Sequence, residues 1–407
     1  MGVGVRDIPQ QWRDHDKKVR PYIWSHRWLS WPSSLLKLGL LLAVIFAGTL
    51  DHWAVSLEQA GYGLWMRWLL FFGSMAAVSE IVSLPFSAGH QQVERRYGLS
   101  KQTWKSWWLD KLKTWVLAGV LGTAVLGLIY LSVAFFRQHW WFACATLLIL
   151  FSVVLAQLTP VLLIPIFFKL EPMESGTLKD RLLKLCERFQ VKVADVYHLG
   201  LGEKTEKGNA AFVGLWRTKR IIIGDTLYKK FPAEQVEAVF AHELGHQVHN
   251  DLWKGILASS FILYLTFFLA NEFCMIVTWP LLHLDPPSPL GLFAFFVTLS
   301  ILQMPFGVLQ HGFTRHCERQ ADAFAREKIG SGIELANALE RLTLQNFSYY
   351  RPNRLIEWLT YSHPAPWRRI FISVTRGYRV VTKRNVTPIP KFQRREAGHS
   401  RSVGDDK

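Results

Sequence analysis

The chain has 407 residues, of which 50% are hydrophobic and only 19% are charged, and its formal net charge is +16. Soluble domains average about 25% charged residues, so this composition argues against a purely soluble protein and favours one embedded in a membrane. We find no nucleic-acid-binding motif, and basic loops close to anionic lipid account for the positive charge. Nucleic acid is therefore excluded as a partner, and the lipid bilayer is predicted as one.

Six apolar runs are long enough to cross a bilayer, which takes about 20 helical residues. They cover residues 34–51, 66–88, 114–137, 140–168, 256–280 and 290–312. Basic residues in short loops remain in the cytoplasm. Six Lys and Arg occur in residues 1–33 and six more in 90–113, whereas none occurs in 52–63 or 281–289. This alternation predicts that both termini and the polar segment 171–255 lie in the cytoplasm.

The runs divide the chain into six regions. These are a cytoplasmic N-terminal segment (1–33), four transmembrane helices with a basic cytoplasmic loop at 90–113 (34–170), a soluble lobe (171–255), two transmembrane helices (256–312), the second part of the lobe (313–383) and a basic tail that we expect to be disordered (384–407). In the lobe, residues 178–190 have a helical pattern, and β-like stretches follow at 193–201, 209–216 and 219–225. The predicted fold class is mainly α, a multi-span membrane helical bundle with a small β-sheet in its cytoplasm-facing lobe.

The sequence AHELGHQVHND follows a helix start, Pro-Ala-Glu, at residues 232–234. His242 and His246 are four residues apart and therefore share one helix face, where both imidazoles can bind one ion. Glu243 lies beside them, close enough to take a proton from a water that the metal acidifies. This arrangement predicts one zinc ion per chain, with Glu243 as the general base. Two exposed histidines without a metal are the alternative.

A catalytic zinc needs a third protein ligand and an open fourth position. We choose Glu318, because it starts a predicted helix just after the sixth apolar run and has Asp322 four residues later to orient a ligand histidine. An ordinary solvated glutamate is the alternative for this pair. His249, on nearly the same helix face as His242, is a rival ligand. His246 and Glu318 are each close in sequence to an apolar run, so the metal is expected at the cytoplasmic membrane face.

Several stretches between about residue 80 and residue 371 resemble the type I CAAX prenyl proteases, membrane zinc endopeptidases that cut prenylated proteins near the C-terminus. The stretches are LPFSAGHQQVERRYGLSKQT, TPVLLIPIFFKLEPM, NAAFVGLWRTKRIIIGDTL, AHELGHQVHND, ERQADAFA and YSHPAPWRRI. The resemblance implies a ring of spanning helices around a large chamber and a zincin-like lobe that opens into it. The chain departs from the family at Arg319, where an apolar residue is usual, and in having six predicted spans where familiar eukaryotic members have seven.

The resemblance also implies roles for individual residues. The ligands are then His242, His246 and Glu318, the general base is Glu243, and Asp322 orients a ligand. Asn209 and His363 match residues that hydrogen-bond the substrate and the developing oxyanion, and Arg369 matches an arginine that we place at the substrate site without a defined role. From the sequence alone, Asn209 is a turn residue after a glycine and His363 a surface histidine before a proline.

The predicted function is hydrolysis of peptide bonds in membrane-associated or CAAX-type protein substrates, and the sequence leaves open whether prenylation is required. Quality-control cleavage of damaged membrane proteins is the alternative within the same class of enzyme. A non-catalytic binding or transport protein with a structural metal is the alternative from another class, although Glu243 argues against it because a closed structural site needs no base. The predicted location is a bacterial inner membrane, and the endoplasmic reticulum is the alternative.

Overall fold

The computed structural model describes residues 9–215 and 219–383, with side chains described as far as residue 376. The predicted disordered tail, 384–407, lies outside these residues. The α-helices are α1 (Gln10–Phe46), α2 (Thr49–Gln59), α3 (Leu64–Arg96), α4 (Trp104–Phe136), α5 (Trp140–Leu158), α6 (Ile164–Phe167), α7 (Thr177–Arg188), α8 (Asp225–Tyr228), α9 (Ala233–Val248), α10 (Asp251–Phe273), α11 (Trp279–Leu282), α12 (Pro289–Phe324), α13 (Gly332–Gln345), α14 (Arg354–Thr360) and α15 (Pro366–Lys383). The strands are β1 (Leu170–Pro172), β2 (Val196–Leu199), β3 (Ala210–Val213) and β4 (Arg220–Gly224).

Long apolar helices form the membrane part of the described chain. Five helical segments are long and apolar enough to cross a bilayer: Gln10–Phe46, Leu64–Arg96, Trp104–Phe167, Asp251–Leu282 and Pro289–Ile329. The third segment contains α4 and α5, which a short turn joins and which pack against each other. Buried aromatic rings fill the space between the helices, including Trp68, Phe267 and Phe295, each at most 2% exposed. Five of the six predicted runs coincide with these helices, and the predicted class of fold is confirmed.

The first predicted span, 34–51, is wrong in its bounds. Helix α1 begins at Gln10 and ends at Phe46, and Gly48, with a φ of 66°, separates it from α2. The polar first half of α1 is held against the lobe, where Trp12 stacks on Tyr350 with ring centroids 4.1 Å apart. A hydropathy pattern identifies only the residues that are apolar enough for lipid. It therefore could not show that the same helix continues into polar sequence, where aromatic contacts such as that of Trp12 hold it.

The prediction of a separate helix after the sixth span is also wrong. Helix α12 runs without a break from Pro289 to Phe324, and the side chain of Ser288 caps its start by accepting a hydrogen bond from the backbone N–H of Gly291 at 3.0 Å. Pro305 lies inside the helix. Glu318 therefore does not start a helix, and the helix that carries it also spans the membrane.

A small mixed sheet supports the lobe. Its strand order is β1-β2-β4-β3, with β2 parallel to β4 and β3 antiparallel to β4. The three predicted β-like stretches are confirmed, whereas β1 was not predicted because it directly follows the fourth apolar run. Ile221, Ile222 and Ile223 of β4 are each at most 4% exposed, as expected for the centre of a sheet. Helix α9 packs beside the edge strand β3, where Phe212 stacks on Phe240.

Candidate metal centre and active site

The side chains of His242, His246 and Glu318 converge on one point between α9 and α12. Their ligand atoms all lie within 4.8 Å of one another. The Nε2 atom of His242 lies 3.2 Å from Nε2 of His246 and 3.3 Å from Oε2 of Glu318. Oε1 of Glu318 lies 3.4 Å from Nε2 of His246. Two imidazole nitrogens and a carboxylate in this arrangement match the three protein ligands of a catalytic zinc site.

Gly245 permits the close approach of α9 and α12 that this geometry needs. A Cβ atom added at Gly245 would lie 2.9 Å from the Cα of Ala321 and 3.2 Å from the Cβ of Phe324. Only glycine fits such a distance between backbones without a shift of one helix. The glycine between the two histidines of AHELGH thus has a structural role that spacing alone does not reveal.

A carboxylate lies beside the ring of each histidine that could hold the metal. Oδ1 of Asp322 lies 2.9 Å from Nδ1 of His242, and Oδ2 of Asp251 lies 2.8 Å from Nδ1 of His246. With each Nδ1–H donating to a carboxylate, the lone pair of each Nε2 is directed to the metal point. Asp322 thus occupies the orienting position that we predicted. Asp251 was missed, although an aspartate at the start of the next helix, five residues after a ligand histidine, is a signal that could have found it.

Arg369 completes this support. Its Nε and Nη2 atoms donate to the two carboxylate oxygens of Asp322 at 2.9 and 2.8 Å. Its Nη2 atom also lies 3.5 Å from Oε2 of Glu318. Burial acts to lower the pKa of Arg369, but the charge of Asp322 outweighs it and raises the pKa. The arginine that had no defined role at the level of sequence therefore holds the carboxylate that orients a ligand histidine.

Burial and charge shift the pKa values of the site residues on α9. Burial alone would lower the pKa of His242, but hydrogen bonds to Asp322 and Glu318 outweigh it and raise the pKa to about 9. The pKa of His246 is raised in the same way: burial opposes the shift, and the hydrogen bond to Glu318 is the largest contribution that favours it. Burial raises the pKa of Glu243, against the lowering effect of the two histidines. A carboxylate with a raised pKa is suited to accept and return a proton near neutral pH.

A cavity of about 160 Å³ joins the predicted catalytic residues. Asn209, Glu243 and His363 all line it, together with His242 and Arg369. Nε2 of His363 lies 3.1 Å from Oε1 of Glu318, and the side chain is 57% exposed. The structure therefore brings together residues that are more than 150 positions apart in the chain, counting from Asn209 to His363.

Asn346 is a second residue that the sequence did not single out. Its Oδ1 accepts a hydrogen bond from the backbone N–H of Gly208 at 2.9 Å, and its Nδ2 donates to the carbonyl of Gly208 at 3.3 Å. The backbone carbonyl of Asn209 accepts from the N–H of Gly224 at 2.8 Å. These bonds fix Asn209 at the start of β3, beside the cavity.

His249 lies apart from the converging ligand atoms. Its Nδ1 atom lies 2.7 Å from the carbonyl of Gly245, and its ring packs on Phe324. Among the described residues it does not join the group that could hold a metal. Its position at the end of α9 favours Glu318 over His249 as the third ligand.

Two family models match the chain. Residues 12–169 match "CAAX prenyl protease N-terminal, five membrane helices", and residues 172–372 match "Peptidase family M48". Together the two models take in nearly all of the described chain. The chain belongs to peptidase family M48. All of the site residues of this M48 peptidase lie in its second matched region, and the first region supplies membrane helices.

Relatives of this M48 peptidase include eukaryotic and bacterial proteins. CAAX prenyl protease 1 of Saccharomyces cerevisiae is 26% identical over 74% of this chain and 71% of its own length. A Bacillus subtilis protein described as the uncharacterized metalloprotease YhfN is 24% identical over 73% of this chain and 70% of its own length. The crystal structure of S. mikatae Ste24p matches with a TM-score of 0.77 and 26% identity, covering 88% of each chain. This M48 peptidase is accordingly an integral membrane protein, as predicted.

Proposed function

We propose that this protein is a zinc-dependent endopeptidase that cleaves membrane-associated protein substrates, including proteins with CAAX-type C-termini. One observation carries the proposal: Glu243, Asn209 and His363 line the same cavity as the ligand His242, and the three ligand atoms lie within 4.8 Å of one another. A base, hydrogen-bond donors and a metal position in one cavity are the parts that peptide hydrolysis needs.

The residues at this centre fit a zinc ion. Both Nδ1 atoms face carboxylates, so each neutral ring carries its proton on Nδ1 and a lone pair on Nε2. The two Nε2 atoms are 3.2 Å apart, and their lone pairs repel each other unless a cation or a proton lies between them. Oε2 of Glu318 is buried, makes no well-formed hydrogen bond among the described residues, and has as its nearest donors Nε2 of His242 at 3.3 Å and Nη2 of Arg369 at 3.5 Å, so a metal ion at this point would satisfy it. When bound, zinc supplies a Lewis acid that lowers the pKa of a bound water and polarises a carbonyl.

The side chains of this chain then have distinct tasks in hydrolysis. Glu243 removes a proton as the water oxygen bonds to the carbonyl carbon, and it returns that proton to the amide nitrogen as the C–N bond breaks. Asn209 and His363 donate hydrogen bonds to the oxygen that gains negative charge. Asp322 and Asp251 keep the two ligand rings in place throughout.

The edge strand β3 is the proposed binding position for the substrate backbone. β3 is last in the strand order β1-β2-β4-β3 and pairs only with β4 among the described strands, so its other edge is where an extended peptide would pair. Such pairing would place a scissile bond beside Asn209, which directly precedes β3. The names of the yeast relative and of the N-terminal family model support CAAX-type substrates. A chamber among the spanning helices would receive the lipid of a prenylated substrate.

The substitution Glu243→Gln tests the mechanism. The purified variant is expected to retain one zinc per chain, measured by mass spectrometry of the metal, and to lose peptide cleavage by about 10²–10⁴-fold because the amide cannot accept the proton. Glu234→Gln, on the exposed first turn of the same helix, is the matched control and should cleave normally. Undiminished cleavage by Glu243→Gln would refute the mechanism.

A pair of peptides that differ only in prenylation tests the substrate. We expect faster cleavage of the prenylated peptide. Equal rates would favour the quality-control alternative, for which damaged membrane proteins are the substrates.

For the location we propose a bacterial inner membrane with the site facing the cytoplasm. The basic loops at 1–33 and 90–113 support a site that faces the cytoplasm. The Bacillus subtilis relative supports a bacterial membrane, and the yeast relative supports the endoplasmic reticulum as the alternative. A cysteine introduced at Glu234 and probed with a membrane-impermeant thiol reagent tests the orientation. Labelling only after the membrane is opened supports a cytoplasmic site, and labelling of intact cells contradicts it.

A further inference from the structure

A second and larger cavity lies behind the metal centre. Its volume is about 600 Å³, against about 160 Å³ for the cavity that holds the catalytic residues. Residues of α12, α14 and α15 line it, and the Asp322–Arg369 pair separates it from His242. Glu243, Asn209 and His363 do not line this second cavity. It shares Arg369 with the catalytic cavity but none of the three proposed catalytic residues, so a ligand could bind in it whether or not the protein is an active peptidase.

Positive charge dominates the lining of this second cavity. Among the residues whose side chains are described, seven arginines line it and two carboxylates, those of Asp322 and Glu357, which leaves five formal positive charges without a partner in this lining. Both carboxylates are already engaged. Asp322 accepts two hydrogen bonds from Arg369, and Glu357 accepts one from the backbone N–H of Ala365 at 3.0 Å. Like charges concentrated in a concave site create a strong field that favours an anion.

Two of the arginines that line the cavity are buried. Arg315 is 9% exposed and Arg326 is 3% exposed. Arg315 donates to the backbone carbonyls of Glu357 and Tyr361, which are neutral acceptors. The nearest carboxylate oxygen to Arg326 belongs to the adjacent Glu327, at 3.8 Å, on a side chain that is 52% exposed. Burying a guanidinium with so little compensation is costly.

Two guanidinium Nε atoms in the lining lack hydrogen-bond partners. Nε of Arg326 and Nε of Arg368 are buried and have no such partner among the described residues. Nε of Arg368 lies 3.6 Å from Oε1 of Glu357, which is too long for a hydrogen bond. A buried donor left unpaired usually indicates an unseen water, ion or ligand. Because the surrounding charge is strongly positive, an anion satisfies these donors better than a neutral molecule does.

The open end of the cavity has both charged and apolar groups. Arg319, Arg354 and Arg376 are exposed there. Trp358 also lines it and is 56% exposed, and its neighbour on α14, Leu355, is 63% exposed. An exposed tryptophan and leucine beside arginines are typical of a surface that lies at the level of lipid headgroups.

We propose that this cavity binds a phosphate group, supplied by the headgroup of an anionic lipid or by a free phosphate compound. Guanidinium groups bind phosphate oxygens through paired, charge-assisted hydrogen bonds. A cavity of about 600 Å³ has room for a headgroup. The exposed Trp358 and Leu355 favour the lipid as the source, because they would contact the acyl chains next to the headgroup.

Calorimetric titration of the full-length, zinc-loaded protein in neutral detergent tests the proposal. The probes are dioctanoyl phosphatidic acid, dioctanoyl phosphatidylcholine and inorganic phosphate. Saturable binding of phosphatidic acid, with phosphatidylcholine and inorganic phosphate each at least about tenfold weaker, identifies a lipid headgroup. Binding of inorganic phosphate as tight as that of phosphatidic acid identifies a free phosphate compound. Binding of neither anion above the level of phosphatidylcholine overturns the proposal.

The double variant Arg319→Gln with Arg354→Gln locates the site. Both side chains are exposed, so the variant should fold, which an unchanged melting temperature and zinc content would confirm. Its affinity for the anion is expected to fall by about tenfold or more, because two charge-assisted contacts are lost. The control is Arg20→Gln with Arg27→Gln, which removes the same charge from a different basic cleft and should bind normally. The assignment would be overturned if both double variants lowered the affinity for the anion equally, or if neither lowered it.

Discussion

The substitution Gly245→Ala tests whether close contact between α9 and α12 assembles the metal centre. The new Cβ would lie 2.9 Å from the Cα of Ala321 and 3.2 Å from its carbonyl oxygen. These are backbone atoms and cannot rotate away. Carbon atoms in contact prefer a separation of about 3.5 to 4.0 Å, so α12 must move away from α9 by roughly 0.6 to 1.1 Å.

That movement is large compared with what a metal site tolerates. Glu318 is three residues before Ala321 on the same helix, so its carboxylate moves with the contact. Metal–ligand distances vary by only about 0.2 Å, and overpacking a core costs about 1–3 kcal/mol. If this cost falls on the metal-bound state, zinc affinity drops by roughly 5- to 150-fold.

Zinc affinity is measured by competition with a coloured chelator, and folding by thermal unfolding of the protein in detergent. The control is Gly119→Ala in α4, where a new Cβ has nothing within 4 Å. We expect the control to bind zinc as the parent protein does. A Gly245→Ala protein with the parent zinc affinity would show that the contact between the helices does not set the ligand geometry.

Three further outcomes are expected. Asp251→Asn should weaken zinc binding by about 10- to 100-fold, because the carboxylate that orients His246 is lost. Asp285→Asn, in the loop before α12, is the control. Equal zinc affinities of the two variants in the chelator competition would contradict this expectation. The raised pKa of His242, about 9, means that it carries a proton at pH 7, so zinc binding should release about one proton from it and affinity should rise with pH toward 9. Calorimetry in two buffers of different ionisation enthalpy counts the released protons, and a count of zero at pH 7 would contradict the expectation. Asn346→Ala should leave zinc content unchanged but lower kcat/KM by about 5- to 150-fold, because the backbone before β3 loses hydrogen bonds worth about 1–3 kcal/mol; unchanged kinetics would contradict it.

The helical spans and the short strands were predictable because their signals are local. A run of apolar residues, or a short β-branched stretch such as the one that forms β4, reports its own environment. The bounds of α1 were not predictable in this way. Its polar half is fixed by contacts with residues more than 300 positions away, such as that of Trp12 with Tyr350, and no local pattern records such contacts.

The residues of the site also fall into those with a local sequence signal and those without one. His242, Glu243 and His246 follow from the period of a helix, and Glu318 and Asp322 follow from that period together with the need for a third ligand. The proximity of Asn209, His363 and Arg369 was proposed only from a family resemblance, because they are remote in sequence. Gly245 and Asn346 became visible only in three dimensions, since each acts through the atom that it contacts. Asp251 had a sequence signal that we did not use, because it starts the next helix five residues after His246.

Because α12 is one unbroken helix, a movement at its start also moves Glu318 near its end. Glu318 is 29 residues from the helix start at Pro289, a distance of about 44 Å at 1.5 Å per residue. Pivoting by about one degree around the far end would displace the carboxylate by about 0.8 Å. Bilayers of different thickness change the tilt of the helices that cross them, so a change in the tilt of α12 would move Glu318 relative to the histidines of α9. The close contact of Gly245 with Ala321 is the point at which α9 would oppose a displacement of Glu318.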